Sequence, residues 1–208
     1  RSFMVLVAAA IGFYMGSSDA FNAVAFVHVL VGTALVAAGA SALNQYVERD
    51  LDVLMVRTRN RPIPSGRLAA GDALLFSSII SVAGVAYLAL FTNALTAAIG
   101  ALTLASYVLV YTPLKTRSTW CTLIGAFPGA TPPLMGWAAA SGGLDSVAWS
   151  LFAILFLWQM PHFLAIAWLY REDYARAGLP LLAQQLPIDL GEVEQRLGLH
   201  GQPIALVA

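Results

Sequence analysis

Six apolar stretches run along this chain, separated by short polar breaks: residues 3–16, 21–47, 73–91, 94–111, 120–140 and 147–170. A helix crossing the hydrocarbon core of a bilayer needs roughly 17–25 apolar residues. The last five stretches reach that length. The first falls short, and we read it as a helix whose start lies outside the sequence. No small-residue cleavage site followed by a soluble domain marks it as a secretion signal. Pro128, Pro132 and Pro133 lie inside the fifth stretch and Pro161 inside the sixth. Each removes a backbone donor and predicts a bend, which membrane helices tolerate where neighbours repair the bonding. The pattern predicts an all-α protein: a multi-pass transmembrane helical bundle of six spans.

The connectors support that count. Those at Ser17-Ser18-Asp19, Thr92-Asn93 and Ser141-Gly142-Gly143 carry no Lys or Arg. The alternate connectors carry Arg49, Arg57, Arg59, Arg61 and Arg67, then Lys115 and Arg117, then Arg171 and Arg176. Six spans bring all of these, with Arg1 and Arg196, to one side. The positive-inside rule makes that side the cytoplasm, with both ends of the chain there. Beyond about residue 182 the character changes. Asp189, Glu192, Glu194 and Arg196 are interleaved with Gly191, Gly198 and Gly201, and the apolar end is too short to span. We divide the chain into a membrane domain over residues 1–182 and a polar tail over 183–208.

Composition sharpens the class. Hydrophobic residues make up 59% of the chain and charged residues 11%. A soluble domain carries about 25% charge, so this chain lacks the means to cover a water-facing surface, and lipid is the solvent that suits it. A formal net charge of zero gives no support to nucleic-acid binding. The single cysteine, Cys121, forms no disulfide framework and is expected to be inert packing. His28, alone in the second stretch, is likewise expected to pack.

The chemistry concentrates at the end of the second stretch, in Asn44-Gln45-Tyr46-Val47-Glu48-Arg49-Asp50-Leu51-Asp52. Asn44, Glu48 and Asp52 are spaced by four and share one helix face. Acids converging beside a membrane repel one another unless a cation lies between them. Such oxygen donors suit Mg²⁺, which commonly binds one or two carboxylates together with substrate phosphates. Arg57-Thr58-Arg59-Asn60-Arg61-Pro62 follows at once, and arginine forks match phosphate oxygens. Lys115 lies on the same side. The combination points to a diphosphate held by Mg²⁺ and basic residues at the membrane edge. The plainer alternative makes the arginines topology signals with acids paired to them. Another makes the acids part of an ion channel or transporter path, although they gather at one end with no acidic counterpart on the other side.

The spacing of Asn44, Glu48 and Asp52 resembles the first acidic motif of the intramembrane prenyltransferase (UbiA) superfamily. The continuation Asp52-Val53-Leu54-Met55-Val56-Arg57-Thr58-Arg59-Asn60-Arg61-Pro62 is similar to the heme O synthase (protoheme IX farnesyltransferase) branch, although Glu48 stands where many members have Asp. Tyr111-Thr112-Pro113-Leu114-Lys115, the Gly- and Pro-rich run from Gly125 to Trp137, Trp158-Gln159-Met160-Pro161-His162-Phe163 and Arg171-Glu172-Asp173-Tyr174 are similar to that branch as well. The likeness covers roughly residues 3–182. It implies a bundle of nine spans, so the chain is expected to be C-terminally truncated or diverged. It implies farnesyl diphosphate and heme B as substrates, Mg²⁺ as cofactor, the inner cell membrane as location and a heme A synthase as partner. In it, Asn44, Glu48, Asp52 and Asp173 serve the metal, and Arg57, Arg61 and Lys115 the diphosphate. Asp52, Lys115, His162 and Asp173 are the catalytic set, with His162 toward the porphyrin or a proton. His162 and Asp173 are eleven residues apart, about three helical turns, and share a face if the helix runs on. A quinone-precursor prenyltransferase of the 4-hydroxybenzoate type and an inactive fragment are the nearer rivals.

Overall fold

A computed structural model of the chain describes residues 2–17, 21–115, 118 and 120–170. Among these all regular structure is helical: α1 (Ser2–Gly16), α2 (Ala23–Val47), α3 (Arg49–Asp52), α4 (Ala70–Phe91), α5 (Ala94–Ala105), α6 (Thr112–Leu114), α7 (Cys121–Ala130), α8 (Pro132–Ser141) and α9 (Ser146–Leu169). A π-helical stretch, Ser106–Tyr111, joins α5 to α6 without a break. Four continuous stretches are long and apolar enough to cross a membrane: Ala23–Val47, Ala70–Phe91, Ala94–Leu114 and Ser146–Leu169. The shorter α1 fills the first expected span.

The fifth expected span is two helices end to end, α7 and α8, parted at Thr131. Pro132 has no N–H to give the Pro128 carbonyl one turn back. The Thr131 hydroxyl donates to that carbonyl instead, at 2.9 Å.

The connectors without basic residues act as helix starts. Asn22 accepts from the N–H groups of Val24 and Ala25, at 3.1 and 3.0 Å. Asn93 accepts from Thr96 N–H at 2.8 Å, and Asp145 from Val147 and Ala148 at 3.0 Å each. These side chains satisfy donors that a helix leaves open at its first turn. Asn93 also donates to the Ala138 carbonyl at 2.7 Å, which fixes α5 to the end of α8.

Between lipid-embedded helices packing replaces the hydrophobic drive, and small residues let backbones approach. Gly84 of α4 lies against the backbone of Val36 in α2, and Gly136 of α8 lies under the Ala9 carbonyl of α1. The centre of the bundle is the buried cluster of Phe13, Val29, Val36, Leu88, Leu134, Met135 and Trp137. By contrast α9 leaves Ile154, Leu157 and Trp158 exposed.

Gly136→Val is expected to force α1 away from α8 and to cost about 1–3 kcal/mol, the range for overpacking. Gly71→Ala, where a Cβ meets nothing within 4 Å, serves as the control. Thermal unfolding in detergent would show a lower midpoint for Gly136→Val only; equal midpoints would contradict the close contact.

Candidate functional site

The acids sit where α2 gives way to α3. Glu48 N–H donates to the Asn44 carbonyl at 2.9 Å, and Asp52 N–H to the Glu48 carbonyl at 2.8 Å. These successive four-residue bonds carry one face across the joint and keep Asn44, Glu48 and Asp52 on it. All three are buried, with relative exposures of 8, 4 and 0%. Buried carboxylates need partners, and each acid has a cation. Lys115 Nζ lies 3.0 Å from Glu48 Oε1, and Arg61 Nη1 lies 2.7 Å from Asp52 Oδ2. Asn44 Nδ2 donates to Glu48 Oε2 at 3.0 Å. Asp52 Oδ1 is buried and has no hydrogen-bond partner among the described residues.

Two local devices bring the cations in. The first is the loop after α3. Met55, 1% exposed, buries in an apolar pocket with Cys121 and Ala167, packed by Leu51, Tyr111, Leu114 and Tyr170. With Met55 anchored, the chain turns back, and the Thr58 hydroxyl donates to the Asp52 carbonyl at 3.0 Å. Arg61 is thereby returned to Asp52. Arg57 lies over the Tyr170 ring at the end of α9, 5.1 Å from its centroid. The second device is the π-helical stretch. It ends with Thr112 N–H on the Tyr107 carbonyl, and the Thr112 hydroxyl lies 3.1 Å from Asn44 Oδ1. Lys115 follows one turn later, opposite Glu48. Single π-turns in membrane and soluble helices recur at functional sites.

The remaining basic residues divide. Arg49 lies over Tyr46, donates to the Tyr46 carbonyl at 2.9 Å and pairs at 3.7 Å with the exposed Asp50. That is the surface arrangement the topology reading describes. Arg67 bonds to the Asn60 carbonyl and closes the loop.

His162 is half-buried and stacks on Trp158, 4.8 Å between centroids. It lies eight residues before Tyr170, about 12 Å along the helix at 1.5 Å per residue. Among the described residues it has no hydrogen bond or ring contact with the acids or their cations. Asp173, Arg117, Arg171 and the tail over 183–208 lie outside the described residues. His28 packs, as expected: its Nδ1 is 2.8 Å from Tyr87 Oη and its ring stacks on Phe91 at 5.0 Å. Cys121 is buried beside Met55.

Hard oxygen donors and phosphate-matching cations therefore meet at one end of the bundle. Among the described residues no three His, Cys, Asp or Glu side chains form a self-sufficient metal centre. Two carboxylates, one of them with a buried unpartnered oxygen, Asp52 Oδ1, and the adjacent Asn44 side chain suit a Mg²⁺ that takes its other ligands from phosphate and water.

The model of the UbiA prenyltransferase family matches residues 5–206. The chain belongs to the UbiA prenyltransferase family. Its curated relatives in this family include the protoheme IX farnesyltransferase of Solibacter usitatus, 48% identical over 99% of this chain. Those of Sorangium cellulosum and Myxococcus xanthus are 48% and 46% identical over 86% and 99% of it. The aligned regions amount to 73, 62 and 68% of the three relatives' own lengths. Among solved structures, a UbiA homolog from Aeropyrum pernix K1 superposes with a TM-score of 0.72 at 20% identity, over 89% of this chain and 70% of that one. A digeranylgeranylglyceryl phosphate synthase gives 0.72 at 18%, over 94 and 66%. At such identities the structures establish the UbiA fold: an all-helical, multi-pass membrane protein.

Sequence reasoning missed Met55, Thr58 and Thr112 as parts of this UbiA site. The first two were visible as members of the motif but carried no chemistry of their own. Thr112 was visible too, in the Tyr111–Lys115 motif, but its partner was not, because a threonine in a membrane helix ordinarily bonds within its own helix.

Proposed function

We propose that the chain is the substrate-binding core of a protoheme IX farnesyltransferase, which moves the farnesyl group of farnesyl diphosphate to a vinyl group of heme B. The reading is carried by the two ion pairs, Glu48 with Lys115 and Asp52 with Arg61, at one end of the bundle. It is supported by relatives of that name at 46–48% identity. The basic loops and this site face the cytoplasm, in the cell membrane.

Asn44, Glu48 and Asp52 would hold Mg²⁺, which when bound supplies Lewis-acid polarisation of the diphosphate oxygens. Lys115 and Arg61 then turn from the acids to the diphosphate, and Arg57 joins them. Their N–H groups donate to the oxygens on which negative charge grows as the farnesyl C1–O bond breaks. The terminal carbon of a heme vinyl group bonds to C1, and the cation left beside the porphyrin takes the oxygen of water. A proton leaves, and the products are a hydroxyethylfarnesyl heme and diphosphate. The apolar residues around Met55 keep water from C1 until the carbon–carbon bond has formed.

Protein in lipid nanodiscs, given farnesyl diphosphate, Mg²⁺ and heme B, is expected to yield farnesylated heme by chromatography and mass spectrometry. With 4-hydroxybenzoate as acceptor it is expected to yield nothing. The reverse pattern would assign the site to a quinone precursor and overturn the proposal.

A further inference from the structure

Asn44 touches two groups of different kinds. Its Nδ2 donates to Glu48 Oε2 at 3.0 Å, and its Oδ1 faces the Thr112 hydroxyl at 3.1 Å. In this orientation Asn44 presents a donor to Glu48. A cation on Glu48 would meet the wrong end of the amide, because N–H groups repel a metal and only Oδ1 is a ligand. To serve the metal the amide must turn over.

Thr112 is built to allow that turn. Its hydroxyl lies 2.8 Å from the Tyr107 carbonyl, the same carbonyl that accepts Thr112 N–H at the end of the π-helical stretch. A hydroxyl both donates and accepts. Against Asn44 Oδ1 it donates. Against a reversed Asn44 it accepts from Nδ2 and donates to Tyr107. Thr112 is 3% exposed, so water does not substitute readily for either role. An apolar group there would leave one end of the buried amide unpaired in both orientations.

We propose that Thr112 is a positioning residue for the metal site, holding Asn44 in two amide orientations: toward Glu48 when the site is free, and with Oδ1 toward Mg²⁺ when it is loaded. The inference rests on the farnesyltransferase reading and deepens it. It also gives the π-helical stretch a purpose, since that stretch sets Thr112 opposite Asn44 and Lys115 opposite Glu48.

The test measures metal retention, not turnover. The full chain in nanodiscs is saturated with a non-reactive S-thio analogue of farnesyl diphosphate, and retained Mn²⁺ is titrated as a stand-in for Mg²⁺. Thr112→Val is expected to raise the half-saturating Mn²⁺ concentration about tenfold, within the range for groups that orient metal ligands. Binding of the analogue without metal should be unchanged. Thr112→Ser should keep the wild-type value. A wild-type value for Thr112→Val would overturn the inference, and so would equal losses for Val and Ser, which indicate packing alone. Wild-type protein that retains no Mn²⁺ would overturn the metal reading itself, and this inference with it.

Discussion

Asp52→Asn is expected to lower farnesyl transfer by on the order of 10³-fold, the upper end for loss of one preorganised electrostatic group. Asp52 is fully buried, with one oxygen on Arg61 at 2.7 Å and the other unpartnered among the described residues. The amide has nearly the same shape, and its oxygen still accepts from Arg61. What disappears is the charge. Without it the site loses a metal ligand and leaves Arg61 with no acid to return to. Arg61 is 29% exposed and reaches water, so the fold should survive. Gel filtration and a thermal midpoint near that of wild type would show intact insertion, while kcat in nanodiscs would show the loss. Undiminished kcat would remove Asp52 from the metal site.

Lys115→Met separates two effects that a merely structural lysine would not. Met keeps the stem and removes the ammonium, which lies 3.0 Å from Glu48 Oε1. Turnover is expected to fall about 10²–10³-fold, because the diphosphate loses a cation when it most needs one. Metal binding in the absence of diphosphate is expected to move the other way. Wild-type Glu48 is already neutralised, so a metal must displace Lys115 to reach it. In the variant Glu48 is a buried acid without its cation, and Mn²⁺ should bind about tenfold more tightly, within the usual range for coupled sites. Added Mn²⁺ should also raise the thermal midpoint of the variant more than that of wild type, since it restores the missing charge. Weaker Mn²⁺ binding in the variant would mean that Lys115 supports the site only by packing.

These predictions rest on contacts that were legible in the sequence to different degrees. The membrane bundle was readable because long apolar runs and alternating connectors obey local rules. The common face of Asn44, Glu48 and Asp52 was readable too, because the four-residue spacing holds wherever the helix continues, and it continues through the α2–α3 joint. The fates of the arginines were not readable. Arg49, Arg57 and Arg61 are alike in sequence, yet one lies on Tyr46, one on Tyr170 and one on Asp52. For Arg57 and Arg61, which follow in the loop around Met55, its burial against α7 and α9 decides that, and such a contact leaves no periodic signal. The π-helical stretch has no sequence signature either, so the pairing of Thr112 with Asn44, 68 residues apart, needed the structure. His162 stacks on Trp158, while Asp173, with which its helical phase was matched, lies outside the described residues.

The central claim is that this site ionises farnesyl diphosphate for transfer to heme. It is tested most directly by extracting heme from cells that lack their own heme O synthase and express this chain, then analysing the extract by mass spectrometry. The account predicts a farnesylated heme peak with the wild-type chain and its loss with Asp52→Asn. Heme B alone with the wild-type chain, or an equal product peak with Asp52→Asn, would contradict it.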